Sequence, residues 1–161
     1  MALSSPQVHN LLFVCMGNIC RSPLAANVFR HKIKQRGVAD RFDIDSAGTG
    51  AWHVGEPPDP RVLQNAARHG VPMTGLARQV KREDFDRFDL LLCMDQANHD
   101  HLLRMGAPKN KTRLLLEFNP VSSVREVPDP YYGGDDGFET VYRLVEAACD
   151  ALLVELLNDR S

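Results

Sequence analysis

Little in this chain marks it for a membrane, a polyanion or an oxidising compartment. No apolar stretch in its 161 residues approaches the roughly 20 that a bilayer-spanning helix needs. The first ten residues carry no basic stretch ahead of an apolar core, so no secretion signal is expected. A net charge of −2 supplies no field for nucleic acid or an anionic lipid surface, and neither is expected as a partner. Cysteines number only four. Cys93 sits in the apolar run 90–94 and Cys149 on an apolar helix face, so both read as buried thiols rather than halves of disulfides. A reducing cytoplasm is the expected location. Gly48-Thr49-Gly50 lacks the third glycine of a dinucleotide fingerprint, and no Gly-Lys-Ser/Thr follows a glycine-rich loop. His99-Asp100-His101 reads as a solvated helix face, so neither metal nor cofactor is expected. What remains is ordinary for a globular protein, 43% apolar and 25% charged. That is enough for a core in one domain over residues 1–161.

Against this plain background stands the string Val14-Cys15-Met16-Gly17-Asn18-Ile19-Cys20-Arg21-Ser22-Pro23. It follows the apolar run Leu11–Val14, which reads as a buried strand. Ser22-Pro23 then opens a helix, with proline in the first turn, where its missing N–H costs nothing. Ala25, Val28, Phe29 and Ile33 mark its apolar face and Gly37 stops it.

Downstream, strands and helices alternate. Phe42–Ser46 reads as a strand, and a helix runs from Asp59-Pro60 to Gly70. Asp89–Met94 is the next strand, followed by a helix over Gln96–Arg104 and a fourth strand at Arg113–Leu116. The last helix spans about Gly137–Leu157, with Phe138, Val141, Val145, Cys149, Leu152 and Leu156 on one face. This alternation implies a single three-layer α/β domain, a four-stranded parallel sheet with helices on both faces. Such sheets bind ligands beyond the carboxyl ends of their strands, where Cys15 stands. The segment Asn119–Asp136 is long, and loops of that length are often functional.

A loop between strand and helix can wrap the amides of Met16, Gly17, Asn18, Ile19 and Cys20 around a tetrahedral anion. The helix N-terminus and the same amides favour the thiolate of Cys15, a nucleophile for phosphorus. Arg21 adds a planar fork that holds two oxygens at once. A poor leaving group needs an acid, and the loop has no carboxyl. Asp129, followed by Pro130-Tyr131-Tyr132, is the candidate, because its aromatic neighbours exclude water and favour the protonated acid. The same aspartate can then activate water against a cysteinyl-phosphate. Asp59-Pro60, by contrast, reads as a helix cap.

These residues resemble the low-molecular-weight protein tyrosine phosphatase family. Its signature Val-Cys-x-Gly-Asn-Ile-Cys-Arg-Ser-Pro stands at 14–23 and its late Asp-Pro-Tyr-Tyr at 129–132. Asp45-Ser46-Ala47-Gly48, Trp52, Asp59-Pro60-Arg61, His69-Gly70, Ala77-Arg78-Gln79-Val80 and Cys93-Met94-Asp95 look like further landmarks in the right order. The resemblance implies a phosphatase I-like fold. It implies Cys15 as nucleophile, Arg21 as phosphate clamp and Asp129 as general acid, then base. It further implies that Asn18, Ser22, Ser46 and His69 support the loop through hydrogen bonds. Met16, Trp52 and Tyr131, with Tyr132 beside it, would wall a slot for an aryl phosphate. Position 16 is usually leucine in the family, and His53 falls at a variable place. Cys20 would trap an oxidised Cys15 as a disulfide.

The implied substrates are phosphotyrosine-containing proteins or small aryl phosphates, with inorganic phosphate as product. A monomer with weak self-association is expected. Two rivals share the loop. An arsenate reductase on the same fold, in its thioredoxin-linked form, needs two further cysteines on a mobile segment, and only Cys93 lies in that stretch. A non-catalytic phosphate-binding module needs no nucleophile.

Overall fold

The computed structural model describes residues 8–130 and 134–158, so Tyr131 and Tyr132 lie outside the described residues. Strands β1 (His9–Cys15), β2 (Phe42–Gly48), β3 (Leu90–Cys93) and β4 (Thr112–Leu114) form one sheet. Its order is β2-β1-β3-β4 and every pairing is parallel. Between the strands run α1 (Arg21–Gln35), α2 (Pro60–Arg68), α3 (Glu83–Arg87) and α4 (Gln96–Arg104), and α5 (Gly134–Asn158) closes the chain.

Side chains on β1 alternate between two cores, as the period of two requires. Leu11, Phe13 and Cys15 join the larger core, with Phe29 of α1 and Val145 and Leu152 of α5. Leu12 and Val14 join the other, with Phe85 of α3 and Leu102 of α4. Both faces of the sheet are therefore covered, which is why β1 reads as a continuous apolar run. The same alternation points Cys15 toward α1.

The helix Gln96–Arg104 lies where the sequence pattern puts it, because Asp95 and Asn98 form a reciprocal capping box at its start. Other bounds shift for identifiable reasons. Strand β2 runs on past Ser46, since Ala47 and Gly48 pair with Val14 and Cys15. The strand expected at Arg113–Leu116 ends at Leu114, and Leu115–Phe118 turn into a 3-10 helix. There the Glu117 carboxylate accepts the Leu114 amide at 2.7 Å, while Leu115 and Leu116 are buried. The short helix α3 has no apolar periodicity to announce it. The Lys81 amide donates to the buried Asp84 carboxylate at 2.8 Å across its first turn.

Candidate active site

Cys15 ends β1 and Arg21 begins α1, so Met16–Cys20 make the whole turn between them. Cys20 occupies the cap position of α1 but makes no side-chain cap bond, and the first turn holds no acid. The orphan amides and the positive end of the helix are thereby left for an anion.

The Cys15 sulfur accepts the Asn18 amide at 3.2 Å and lies 2.9 Å from Ser22 Oγ. Ser22 Oγ also accepts Asn18 Nδ2 at 2.8 Å, which leaves the Ser22 hydroxyl hydrogen for the sulfur. Two donors thus converge on Sγ.

Asn18 is the hub of the loop. Its φ of 58° lies in the left-handed region, which a non-glycine residue adopts only when its surroundings hold it there. The surroundings do so. Nδ2 donates to Ser22 Oγ and, at 2.9 Å, to Ser46 Oγ, while Oδ1 accepts the Arg78 amide at 2.9 Å. Arg78 is itself braced by Asp45 at 3.1 Å and by both oxygens of the buried Asp84 at 3.0 Å. Burial works against the Arg78 charge, but these carboxylates overcome it and raise its pKa. Behind the loop, Gly48 is sterically required. A Cβ there would lie 2.7 Å from Met16 O, closer than real Cβ atoms come. That close approach lets Thr49 N reach Cys15 O and Gly50 N reach Met16 O, each at 2.9 Å.

Arg21 is 5% exposed. Its Nη1 donates to Asp95 Oδ2 at 2.6 Å and to Val127 O at 3.1 Å. Burial opposes its charge, but Cys15 and Asp95 more than offset this and raise its pKa. Asp95 therefore serves twice, since its other oxygen caps α4 by accepting the Asn98 amide at 2.8 Å. Val127 is pinned in turn, its amide donating to Met94 O at 2.8 Å. Pinning Val127 at the end of β3 delivers Asp129 to the same place. The loop from Cys15 to Arg21 lines a cavity of about 230 Å³, with His53 and the exposed Asp129 at its sides.

The structure thus brings together Cys15, Asn18, Arg21, Ser22, Ser46 and Asp129, with Met16, Gly17, Ile19 and Cys20 on the wall. His69 is not part of this network, and the expectation that it supports the loop is corrected. Its Nε2 pairs with Glu139 Oε1 at 2.8 Å and its ring stacks on Tyr142 at 3.8 Å, tying the end of α2 to α5. Trp52 is 72% exposed, its ring laid over Gly50. Cys20 is a protonated thiol at neutral pH. Burial, then the charges of Asp59, Cys15 and Asp129, push its pKa to about 12 against the pull of Arg61. Among the described residues, no group of three or more His, Cys, Asp or Glu side chains is arranged to hold a metal ion. No described helix is long and apolar enough to cross a membrane.

Asp95, Arg78, Gly48 and His53 were not singled out for these roles by sequence reasoning. Asp95 carried a local signal, a cap before α4, but nothing in the sequence tied it to Arg21.

A sheet of this order with a cysteine and an arginine closing the first strand-to-helix turn defines a phosphatase-like α/β protein. The sequence profile of the low molecular weight phosphotyrosine protein phosphatases matches residues 10–161. A putative low molecular weight protein-tyrosine-phosphatase of Synechocystis is 45% identical over 91% of this chain and 95% of its own. The human low molecular weight phosphotyrosine protein phosphatase is 43% identical, covering 89% of this chain and 93% of its own. The crystal structure of YfkJ from Bacillus subtilis superposes with a TM-score of 0.90 at 39% identity, over 96% of this chain and 98% of that one. The chain belongs to the low molecular weight phosphotyrosine protein phosphatase family, whose members are phosphoric monoester hydrolases.

Proposed function

We propose that this protein hydrolyses phosphotyrosine and related aryl phosphates without a metal, through a cysteinyl-phosphate. The observation that carries the reading is the convergence of the Asn18 amide and Ser22 on the Cys15 sulfur, at the floor of a cavity shared by Arg21 and Asp129. In the first step Sγ attacks phosphorus and the bond to the aryl oxygen breaks. Asp129 gives its proton to the departing oxygen. The amides of Met16, Gly17, Ile19 and Cys20 and the guanidinium of Arg21 hold the equatorial oxygens through the trigonal geometry, already in place before reaction. In the second step Asp129 takes a proton from water as that water attacks phosphorus. The S–P bond breaks, the thiolate returns and inorganic phosphate leaves.

Met16 and Ile19 give the cavity apolar walls suited to an aryl ring, and Trp52, Tyr131 and Tyr132 belong to the same reading as outer walls. Arsenate reduction and phosphate binding without turnover are not favoured by any observation. The test is turnover of p-nitrophenyl phosphate with EDTA present. Cys15→Ser is expected to lose turnover yet keep phosphate binding, and Asp129→Asn to slow poor leaving groups most. Substantial turnover by Cys15→Ser, or dependence on an added divalent ion, would refute the assignment.

Cys20 gives the site a redox reading. Hydrogen peroxide oxidises the Cys15 thiolate to a sulfenic acid, and Cys20 displaces water from it to form a disulfide. A Cys15 sulfinate without that disulfide after mild peroxide would sink the idea. Four free cysteines, all buried, fit a reducing compartment such as the cytoplasm.

A further inference from the structure

Behind the phosphate loop lies a second, smaller cavity of about 80 Å³, walled by Asn18, Arg30, Asp45, Ser46 and the 74–77 segment. Asn18 lines it and the Cys15 cavity alike, so the hub of the loop is the partition between the two. A water occupies about 30 Å³ in the liquid, and the space therefore suits two or three waters or one small ion. Gly75 brings no side chain to fill it, and a Cβ there would meet nothing within 4 Å.

The walls offer donors that lack acceptors. Arg30, on α1, donates from Nη2 to Ile44 O at 2.7 Å and from Nη1 to Asn27 Oδ1 at 3.4 Å. No carboxylate pairs with it among the described residues, and its Nε hydrogen and one hydrogen on each terminal nitrogen stay uncommitted there. Burial works against the Arg30 charge more than Asp45 and Asp43 support it, so its pKa is lowered. Ser46 Oγ, on β2, accepts Asn18 Nδ2 at 2.9 Å, and its own hydrogen has no acceptor among the described residues. The Thr74 hydroxyl makes no hydrogen bond among them either, although its amide is held by Asn27 Oδ1 at 3.3 Å. Asp45 also stands in the wall, but both its oxygens are taken. Oδ1 accepts the Ser46 amide at 2.8 Å and Oδ2 accepts Arg78 Nε at 3.1 Å.

We infer that this rear cavity binds a small tetrahedral oxyanion, held by the Arg30 guanidinium and the hydroxyls of Ser46 and Thr74. An anion would supply the partner that a half-buried guanidinium lacks, and charge-assisted bonds to it are the strong ones. The donors come from α1, β2 and the segment after α2. Donors on three separate elements suit oxygens that diverge from one centre. Inorganic phosphate is the nearest such ion, because the proposed hydrolysis releases it on the other side of Asn18. Ser46 joins the two sites, since the hydroxyl that would donate to the anion accepts from the loop's hub. Binding here needs no turnover, so the site stands apart from the phosphatase reading.

The test is titration of the isotope-labelled full chain with inorganic phosphate at constant ionic strength, followed by amide NMR. Two curves are expected. The amides of Met16, Gly17 and Ile19 report the catalytic loop, and those of Thr74, Gly75 and Leu76 report the rear cavity with a different midpoint. Arg30→Gln is expected to weaken the rear curve about tenfold, the scale of one lost charge-assisted bond, and to move the loop curve less than about twofold. Thr74 is exposed, so Thr74→Val deletes a hydroxyl without opening the core. It is expected to weaken the rear curve about threefold. Rear amides that stay still, that follow the loop curve, or that keep the wild-type curve in both variants would overturn the site. Loop amides that stay still while the rear ones move would instead strike the phosphatase reading.

Discussion

Replacing Asn18 separates the two things that hold the phosphate loop, a left-handed backbone and a hydrogen-bond hub. Asn18→Ala removes the bonds to Ser22, Ser46 and the Arg78 amide while keeping a Cβ at φ 58°. The two neutral side-chain bonds contribute about 1 kcal/mol each. The Arg78 amide, left without its acceptor, costs about 1–3 kcal/mol where water cannot reach it. Alanine in the left-handed region adds roughly 1–2 kcal/mol. The expected loss is therefore on the order of 4–7 kcal/mol if the loop keeps its shape. The loop can also relax, and part of the loss then appears as a disordered cradle and a fall of about a hundredfold in kcat/KM, the scale of a lost oxyanion donor.

Asn18→Gly is the informative partner. It loses the same bonds but adopts the positive φ freely, at the cost of extra freedom in the unfolded chain. The glycine variant should be more stable than the alanine one by about 1 kcal/mol, and both should lie well below wild type. Urea unfolding measures the stability order, and competition by inorganic phosphate against p-nitrophenyl phosphate measures the cradle. If Asn18→Gly matched wild type in both, the three hydrogen bonds would be idle. If the two variants were equal in stability, the backbone would store no strain.

Asp95→Asn should lower kcat/KM ten- to a hundredfold through the weakened hold on Arg21, yet change unfolding little, because asparagine also caps α4. Asp95→Ala should lose both. Gly48→Ala places a Cβ 2.7 Å from Met16 O, so at least a tenfold loss of activity and about 1–3 kcal/mol of stability are expected in the same two assays. Glu139 is bonded by His69 and Asn65, which hold its carboxyl down at about 2 against an ordinary value of 4.5. A depressed pKa means that its contribution to stability is fully present above pH 4.5 and is lost as the pH falls toward 2. Glu139→Gln should therefore lower the urea midpoint at pH 6 more than at pH 3. The effect should be modest, because the side chain is a third exposed. An equal difference at both pH values would contradict it.

What could be read from sequence was what neighbours in sequence decide. The strand–loop–helix around Cys15 and the helix after Asp95 are specified by local runs, caps and turns, and they lie close to where the pattern puts them. The place of Asp129 at the cavity was legible because Asp-Pro-Tyr-Tyr is a contiguous signal. The braces of the loop were not, because each joins distant segments. Arg78 reaches Asn18 across 60 positions, and Asp95 reaches Arg21 across 74. Gly48 is needed for a steric reason that only the packed loop reveals. His69 shows the same limit from the other side. It lies in a family-like stretch, but the chain folds it onto α5, where Glu139 and Tyr142 take both its edge and its face.

These long-range braces also explain how a buried arginine is held at the cavity. Among the described residues, both hydrogen bonds of Arg21 use Nη1, one to Asp95 and one to Val127. In the proposed mechanism the edge formed by Nε and Nη2 takes two oxygens of the phosphoryl group, the geometry in which a guanidinium binds most strongly. Asp95 balances part of the charge of the buried Arg21, and burial alone would work against an ionised side chain there. Val127 sets the angle of the fork and is two residues from Asp129. Arg21 and Asp129, the clamp and the acid of the proposed mechanism, are therefore positioned by one stretch of chain. A shift of that stretch would misplace both together, so single substitutions along 126–129 should affect binding and leaving-group dependence as a unit.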